Sequence, residues 1–87
     1  MSNAIVLTTN KSFREYGLPY RITSLLLVAL GWEYPVDVLM YLRNEHPLLR
    51  THEQMVRAVT VKMLREPDFG PRRAAAVVEV LIRHGVI

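Results

Sequence analysis

The residues best suited to chemistry lie together in the second half of the chain, at residues 67–73, whose sequence is PDFGPRR. Gly70 has no Cβ, and Pro71 has its φ angle preset for the first residue of a helix. Arg72 and Arg73 then fall in the first helical turn, where backbone N–H groups have no acceptor within the helix. Such N–H groups bind anions, and guanidinium groups add to that binding. The stretch therefore predicts an anion site at a helix start.

Other side chains that could do chemistry lack the partners that they would need. The chain has no cysteine, which excludes disulfides, thiolate chemistry and cysteine zinc sites. His46, His52 and His84 have no metal-ligand spacing such as i, i+4, and we expect them to be solvated. Glu53 and Glu66 have no nucleophile or phosphate loop to work with. We therefore expect no metal, no cofactor and no enzymatic activity.

The composition predicts one small globular domain with an unevenly placed positive charge. The chain has 87 residues, 51% of them hydrophobic, and a net charge of +3. Residues 43–87 hold eight basic and five acidic side chains, whereas residues 1–42 hold three of each. Nine of the eleven basic residues are arginine, which suits phosphate contacts, although a GC-rich genome gives the same bias. The longest apolar run, residues 25–30, is too short to cross a bilayer, and the absence of cysteine favours a cytoplasmic location.

The elements that must position these residues are helical, and we predict an all-α fold: a compact domain of four to five helices over residues 11–87. Helix starts are indicated at Pro19, Pro35, Thr51 and Pro71, after a short turn that begins at Ser12. Stops are indicated at Gly31, at Asn44 with Pro47, and at Gly85. Residues 4–10 are apolar and β-prone but solitary, so residues 1–10 are predicted to be an extended arm, with residues 1–4 a possible tag remnant.

The helical periodicity also predicts which side chains face the core, and Trp32 and Tyr34 are predicted to be core or loop anchors. Arg57, Lys62 and Arg65 are left for solvent on the third helix. The predicted core residues are Ile22, Leu25, Leu26, Ala29, Leu30, Val38, Leu39, Leu42, Met55, Val56, Val59, Met63, Ala74, Val77, Val78, Leu81 and Ile82.

Two parts of the chain carry a resemblance to a known family. Residues 67–74 resemble the helix-hairpin-helix motif, with Asp68 where the motif has its first glycine. Residues 18–26 and 34–39 look like the first half of the carboxy-terminal domain of the bacterial RNA polymerase α subunit, which leaves residues 43–62 as an inserted helical segment. The resemblance implies a non-catalytic module that contacts duplex DNA at the backbone and minor groove, in transcription or its regulation. The residues that it implicates by position are Arg21, Ser24, Gly70, Arg72 and Arg73.

Two alternatives stay open at this point. The same fold could serve as a protein-interaction module that binds RNA polymerase, another transcription protein or a second copy through the N-terminal arm, since the arm and residues 43–62 are extra to DNA binding. A helix-turn-helix reader using residues 51–65 and 71–84 is disfavoured. The connector between the two helices, residues 66–70, is longer than usual, and the outward-facing row of the second helix includes Ala76 and Glu79, which are poor base readers.

Overall fold

The regular secondary structure of the protein is helical throughout residues 11–87, the part of the chain that the computed structural model describes. This confirms the all-α prediction. The predicted arm, residues 1–10, lies outside the described residues. The elements are a 3-10 turn at Phe13–Tyr16 and the helices α1 (Tyr20–Leu30), α2 (Pro35–Glu45), α3 (His52–Leu64) and α4 (Gly70–Arg83).

The starts of α2 and α3 are fixed by side chains that accept hydrogen bonds from the backbone. The Thr51 hydroxyl accepts from the Gln54 N–H at 3.1 Å, and the Gln54 side-chain oxygen accepts from the Thr51 N–H at 3.1 Å. The helix start predicted at Thr51 is therefore confirmed, and the two reciprocal bonds form a capping box. At the start of α2 the Asp37 carboxylate accepts from the N–H groups of Glu33 and Tyr34, both at 2.9 Å. These bonds satisfy donors that a helix start would otherwise leave unpaired.

The helix α1 ends at its predicted glycine stop, whereas α2 continues beyond its first predicted stop residue, Asn44. Gly31 ends α1 with a φ of 71°, in the left-handed region that glycine adopts without a Cβ penalty. The helix α2, predicted to run to about Arg43 and to be closed off by Asn44 and Pro47, ends two residues later, at Glu45. Asparagine is tolerated within a helix, whereas Pro47 has no N–H to continue one, so proline sets the limit.

The core receives fully buried side chains from all four helices. Ile82, predicted to face inward, is 44% exposed instead, because it lies on the side of α4 that faces a groove beside α3. Trp32 is buried in the connection between α1 and α2, which confirms it as an anchor, whereas Tyr34 is 37% exposed. Val59 of α3 is fully buried, so residues 43–62 contribute to the common core. The side chains with no exposed surface are Leu26, Val38, Val59, Met63, Ala74, Val77 and Leu81.

One stretch of the described chain, Tyr20–Glu45, is long and apolar enough to cross a membrane by length and composition; an 18-residue window within it has a mean hydropathy of 1.5. In the structure this stretch is two helices of 11 residues each, separated at Gly31. An 11-residue helix is ~16 Å long, about half the ~30 Å thickness of the hydrocarbon core. The stretch is therefore a pair of short helices that bury Leu26 and Val38, rather than one continuous helix.

Candidate nucleic-acid interface

The turn between α3 and α4 is a compact hairpin held by its own backbone. The N–H of Glu66 donates to the Met63 carbonyl at 3.0 Å, and the N–H of Phe69 donates to the Glu66 carbonyl at 3.1 Å. The Phe69 ring is buried in the core and anchors the turn. Gly70 then adopts a φ of 67°, which costs other residues about 1–2 kcal/mol. The contribution of Gly70 is thus the backbone geometry that directs the chain into α4.

Arg73 is tied to this hairpin. Its Nη1 donates a hydrogen bond of 2.6 Å to the main-chain carbonyl of Asp68, and the side chain is half-buried. The bond joins the first turn of α4 to the middle of the turn before it. Because a guanidinium carries five N–H donors, the others remain free to bind an anion. Arg73 therefore has a structural role in addition to the binding role predicted for it.

The fold brings the start of α1 beside this hairpin. Arg21 and Ser24 of α1 line a shallow depression of about 290 Å³ together with Arg73 and Asp68, and Tyr20 and Leu25 complete its walls. Three of the five predicted site residues therefore share one surface feature. Asp68 lines the same depression, so an acidic residue accompanies the two arginines there.

The other two predicted residues lie outside the lining of the depression. Gly70 and Arg72 follow Asp68 along the chain, and the Arg72 side chain is exposed. Over residues 11–87 the ion pair that forms is Arg83 to Glu79 at 2.8 Å, and neither Arg21 nor Arg72 takes part in one. Both guanidinium groups thus face solvent without a carboxylate partner from the described chain.

The start of α4 differs from the starts of α2 and α3. No side chain caps it, and its first turn contains no acidic residue. By contrast, Asp37 lies in the first turn of α2, and Thr51 caps α3. Free N–H groups and the positive end of the helix dipole favour an anion at such a position. The start of α4 and the arginines beside it therefore both favour binding of an anion.

Two residues at this surface were not predicted from the sequence. The Tyr20 side chain is 72% exposed and lines both the depression described above and a second one of about 300 Å³. Arg14 lines that second depression, as does Ser24. Tyr20 could have been found as the residue before Arg21 at the helix start. Arg14 could not, since its position depends on tertiary contacts of the N-terminal turn, among them burial of Phe13 and the 3.0 Å bond from the Phe13 N–H to the Glu33 carbonyl.

Away from this surface, a polar cluster corrects the prediction of solvation for His46, whereas His52 and His84 are exposed. His46 is half-buried, and its Nε2 is hydrogen-bonded to the Tyr41 hydroxyl at 2.9 Å. Burial raises the pKa of Tyr41 above its ordinary value of 10.0; Arg65 opposes the shift and Glu45 adds to it. Lys62, predicted to be solvated, lies over the Tyr41 ring at 5.3 Å. Among the residues that the structure describes, no group of three or more His, Cys, Asp or Glu side chains could hold a metal ion.

No protein-family model, curated protein or solved structure matches this chain. What the protein binds must therefore be inferred from the residues of the depression and the hairpin themselves.

Proposed function

We propose that this protein is a non-catalytic DNA-binding module that contacts duplex DNA at the backbone and minor groove. The observation that carries the proposal is that Arg21 of α1 and Arg73 of α4 line one shallow depression although they are distant in sequence. Duplex DNA carries one negative charge per ~1.7 Å of its axis, so clustered arginines supply affinity for it without reading sequence. Arginine is also the residue that enters a narrow minor groove most readily.

Each residue has a distinct role in this proposal. The exposed guanidinium groups of Arg21 and Arg72 contact phosphates, and the uncapped N–H groups at the start of α4 add hydrogen-bond donors. Ser24 offers a hydroxyl within the depression. Gly70 and Arg73 hold the hairpin in the conformation that presents these groups. At about 290 Å³ the depression is at or below the lower limit for small-molecule sites, which favours a surface contact with a polymer.

The finer part of the proposal rests on the family resemblance. We take the hairpin of residues 67–74 to be a helix-hairpin-helix element of the RNA polymerase α carboxy-terminal type. This assigns the protein to bacterial transcription or its regulation, in the cytoplasm, with duplex DNA as its partner. The positive φ of Gly70 supports it, because the hairpin glycine of that motif requires such freedom.

Fluorescence anisotropy with a labelled duplex of about 20 base pairs tests the proposal across roughly 20–200 mM salt. We expect weak binding whose log affinity falls steeply with log salt. Arg21→Ala and Arg72→Ala each lower the magnitude of that slope by about one unit, because each removes a phosphate contact. Arg50→Ala is the matched control, since Arg50 is also exposed but lies outside both depressions. If the first two variants bind as the Arg50→Ala variant does, the proposal is wrong.

A second candidate, a protein-interaction module, is favoured by an apolar surface on α1. Tyr20, Leu27 and Val28 are 72%, 49% and 81% exposed, and all three line the second depression. Exposed apolar surface of this kind marks contact sites for RNA polymerase, another transcription protein or a second copy. Light scattering distinguishes the last case: a dimer that Val28→Asp dissociates supports self-association through this surface. The same measurement without residues 1–10 tests the homodimer through the arm, and a monomeric full chain excludes both dimers.

A further inference from the structure

An apolar depression of about 540 Å³ runs between α3 and α4. We call it the α3–α4 groove. Its walls include Val56 and Leu64 of α3 and Pro71, Ala75, Val78 and Ile82 of α4. Leu64 and Ile82 are 42% and 44% exposed. Exposed apolar surface of this kind marks a contact with another macromolecule.

The four apolar residues that α4 contributes to the groove have the spacing of a coiled-coil seam. Pro71, Ala75, Val78 and Ile82 are four, three and four residues apart. This alternation is the one by which heptad positions a and d meet a second helix. Val78 is buried, whereas the other three residues are exposed. The row therefore has the pattern of a helix face that packs against one more helix.

The side chains of this row are complementary in size to a second, antiparallel copy of the same row. The smaller ones, Pro71 and Ala75, lie toward the hairpin, and the larger ones, Val78 and Ile82, lie toward the other end of α4. A two-fold axis at the middle of the row sets Ile82 of each copy against Pro71 of the other, and Val78 against Ala75. Leu64 ends α3 at the hairpin, so Ile82 of the second copy covers Leu64 as well.

The charges beside the row also fit this arrangement. Arg72 and Glu79 directly follow Pro71 and Val78, so both lie on the same flank of the row. When residue 71 of one copy faces residue 82 of the other, Arg72 faces residue 81, which is two residues or about 3 Å along the helix axis from Glu79. Glu79 pairs with Arg83 of its own chain at 2.8 Å, and Arg72 has no carboxylate partner within residues 11–87. Each Glu79 carboxylate would then lie between two guanidinium groups.

We infer that a second copy of this chain occupies the α3–α4 groove, with its α4 antiparallel to the first. The helices α3 and α4 of the two copies form a four-helix contact in which each copy uses the same surface. This surface shares no residue with the exposed α1 surface of Tyr20, Leu27 and Val28, so the inference goes beyond the second candidate function. The contact withdraws Arg72 from the proposed DNA contact. Its tests therefore contain no DNA, and their failure is distinct from failure of the DNA-binding proposal.

Sedimentation equilibrium of the full-length chain over about 1–500 µM measures the dissociation constant of the dimer. Ile82→Asp places a carboxylate at two symmetry-related positions of the apolar contact, so we expect the dissociation constant to rise at least about tenfold. Leu48→Asp is the matched control and leaves the constant unchanged, because Leu48 is 82% exposed and lies outside the groove. Unchanged emission from the buried Trp32 verifies that both variants are folded. Equal constants for the two variants, a dimer that Val28→Asp dissociates instead, or a monomer at every concentration would overturn the inference.

A charge exchange tests the antiparallel arrangement without changing the apolar row. Glu79→Arg leaves only guanidinium groups on this flank of the contact, so we expect the dissociation constant to rise about tenfold at low salt. Adding Arg72→Glu returns an opposite charge to the flank and restores the constant to within about threefold of its natural value. Adding Arg57→Glu instead changes the net charge equally but gives no recovery, because Arg57 is exposed outside the groove. Equal recovery by the two additions, or none by Arg72→Glu, would contradict the antiparallel contact.

Discussion

The two neighbouring arginines of the hairpin allow a structural contribution to be separated from a binding contribution. Arg73→Ala removes the hydrogen bond from Nη1 to the Asp68 carbonyl, whereas Arg72→Ala removes an exposed guanidinium. Both variants lose one positive charge from the first turn of α4, and both gain alanine. Helix propensity and the interaction with the helix dipole therefore change by similar amounts. The difference in stability between the two variants reports the hydrogen bond and the packing of Arg73.

The size of this difference follows from the setting of the bond. A hydrogen bond with a charged donor contributes about 1.5–3 kcal/mol to stability. Here water competes for both partners at the surface, which lowers the figure to about 1 kcal/mol. Because Arg73 is half-buried, its aliphatic stem adds a smaller packing contribution. We expect Arg73→Ala to lower the free energy of unfolding by about 1–1.5 kcal/mol, and Arg72→Ala by less than about 0.5 kcal/mol.

Urea unfolding followed by tryptophan fluorescence measures both values. Trp32 is the single tryptophan of the chain and is buried, so its emission reports loss of the core. With a slope of about 1 kcal/mol per molar urea, Arg73→Ala shifts the midpoint down by about 1 M without a change in slope. Equal midpoints for the two variants would refute the structural role assigned to Arg73.

Three further predictions test the hairpin and the polar cluster. Asp68→Asn should strengthen binding to duplex DNA at low salt by about threefold, because it removes a negative charge that repels a phosphate ~7 Å away in water. Unchanged anisotropy would mean that Asp68 lies away from the DNA. Gly70→Ala should lower the free energy of unfolding by about 1–2 kcal/mol, because a Cβ at this position meets no atom within 4 Å and the cost is that of the positive φ alone. Gly70→Asn should lower it by less, since asparagine adopts a positive φ more readily, and urea midpoints check this order. Because the pKa of Tyr41 is raised in the folded chain, Tyr41 of the unfolded chain ionises first as the pH rises. The stability that the folded chain gains by keeping Tyr41 neutral is therefore complete below about pH 10 and is lost as the pH rises through the folded pKa. Absorbance at alkaline pH checks it, since Tyr41→Phe should remove the tyrosine that titrates at the higher pH.

The local signals of the sequence predicted the helices well because each depends on a few neighbouring residues. The helix start at Thr51 and the glycine stop at Gly31 are confirmed by their bonds and dihedral angle. The helix α2 ends two residues later than predicted because asparagine permits a helix to continue, whereas proline does not. Ile82 was misplaced because periodicity gives the face of a helix but not where the neighbouring helix stops covering it.

The candidate site was partly predictable, and the missing part depends on tertiary structure. Arg21 and Arg73 were selected from the sequence, and the fold brings them to one depression. The bond from Arg73 to the Asp68 carbonyl and the contribution of Arg14 depend on how the turns lie against the helices. No periodicity or motif encodes such contacts, because they join elements whose arrangement is set by the whole core.

Backbone amide chemical shifts recorded during a titration with duplex DNA test the proposed composite DNA-binding face most directly. We expect the largest shifts in two separate stretches, residues 20–25 at the start of α1 and residues 68–73 at the hairpin, with the α2–α3 connection around Arg50 unchanged. Shifts that decline together as salt is raised would agree with phosphate contacts. Shifts confined to one of the two stretches, or centred on α3, would contradict the account.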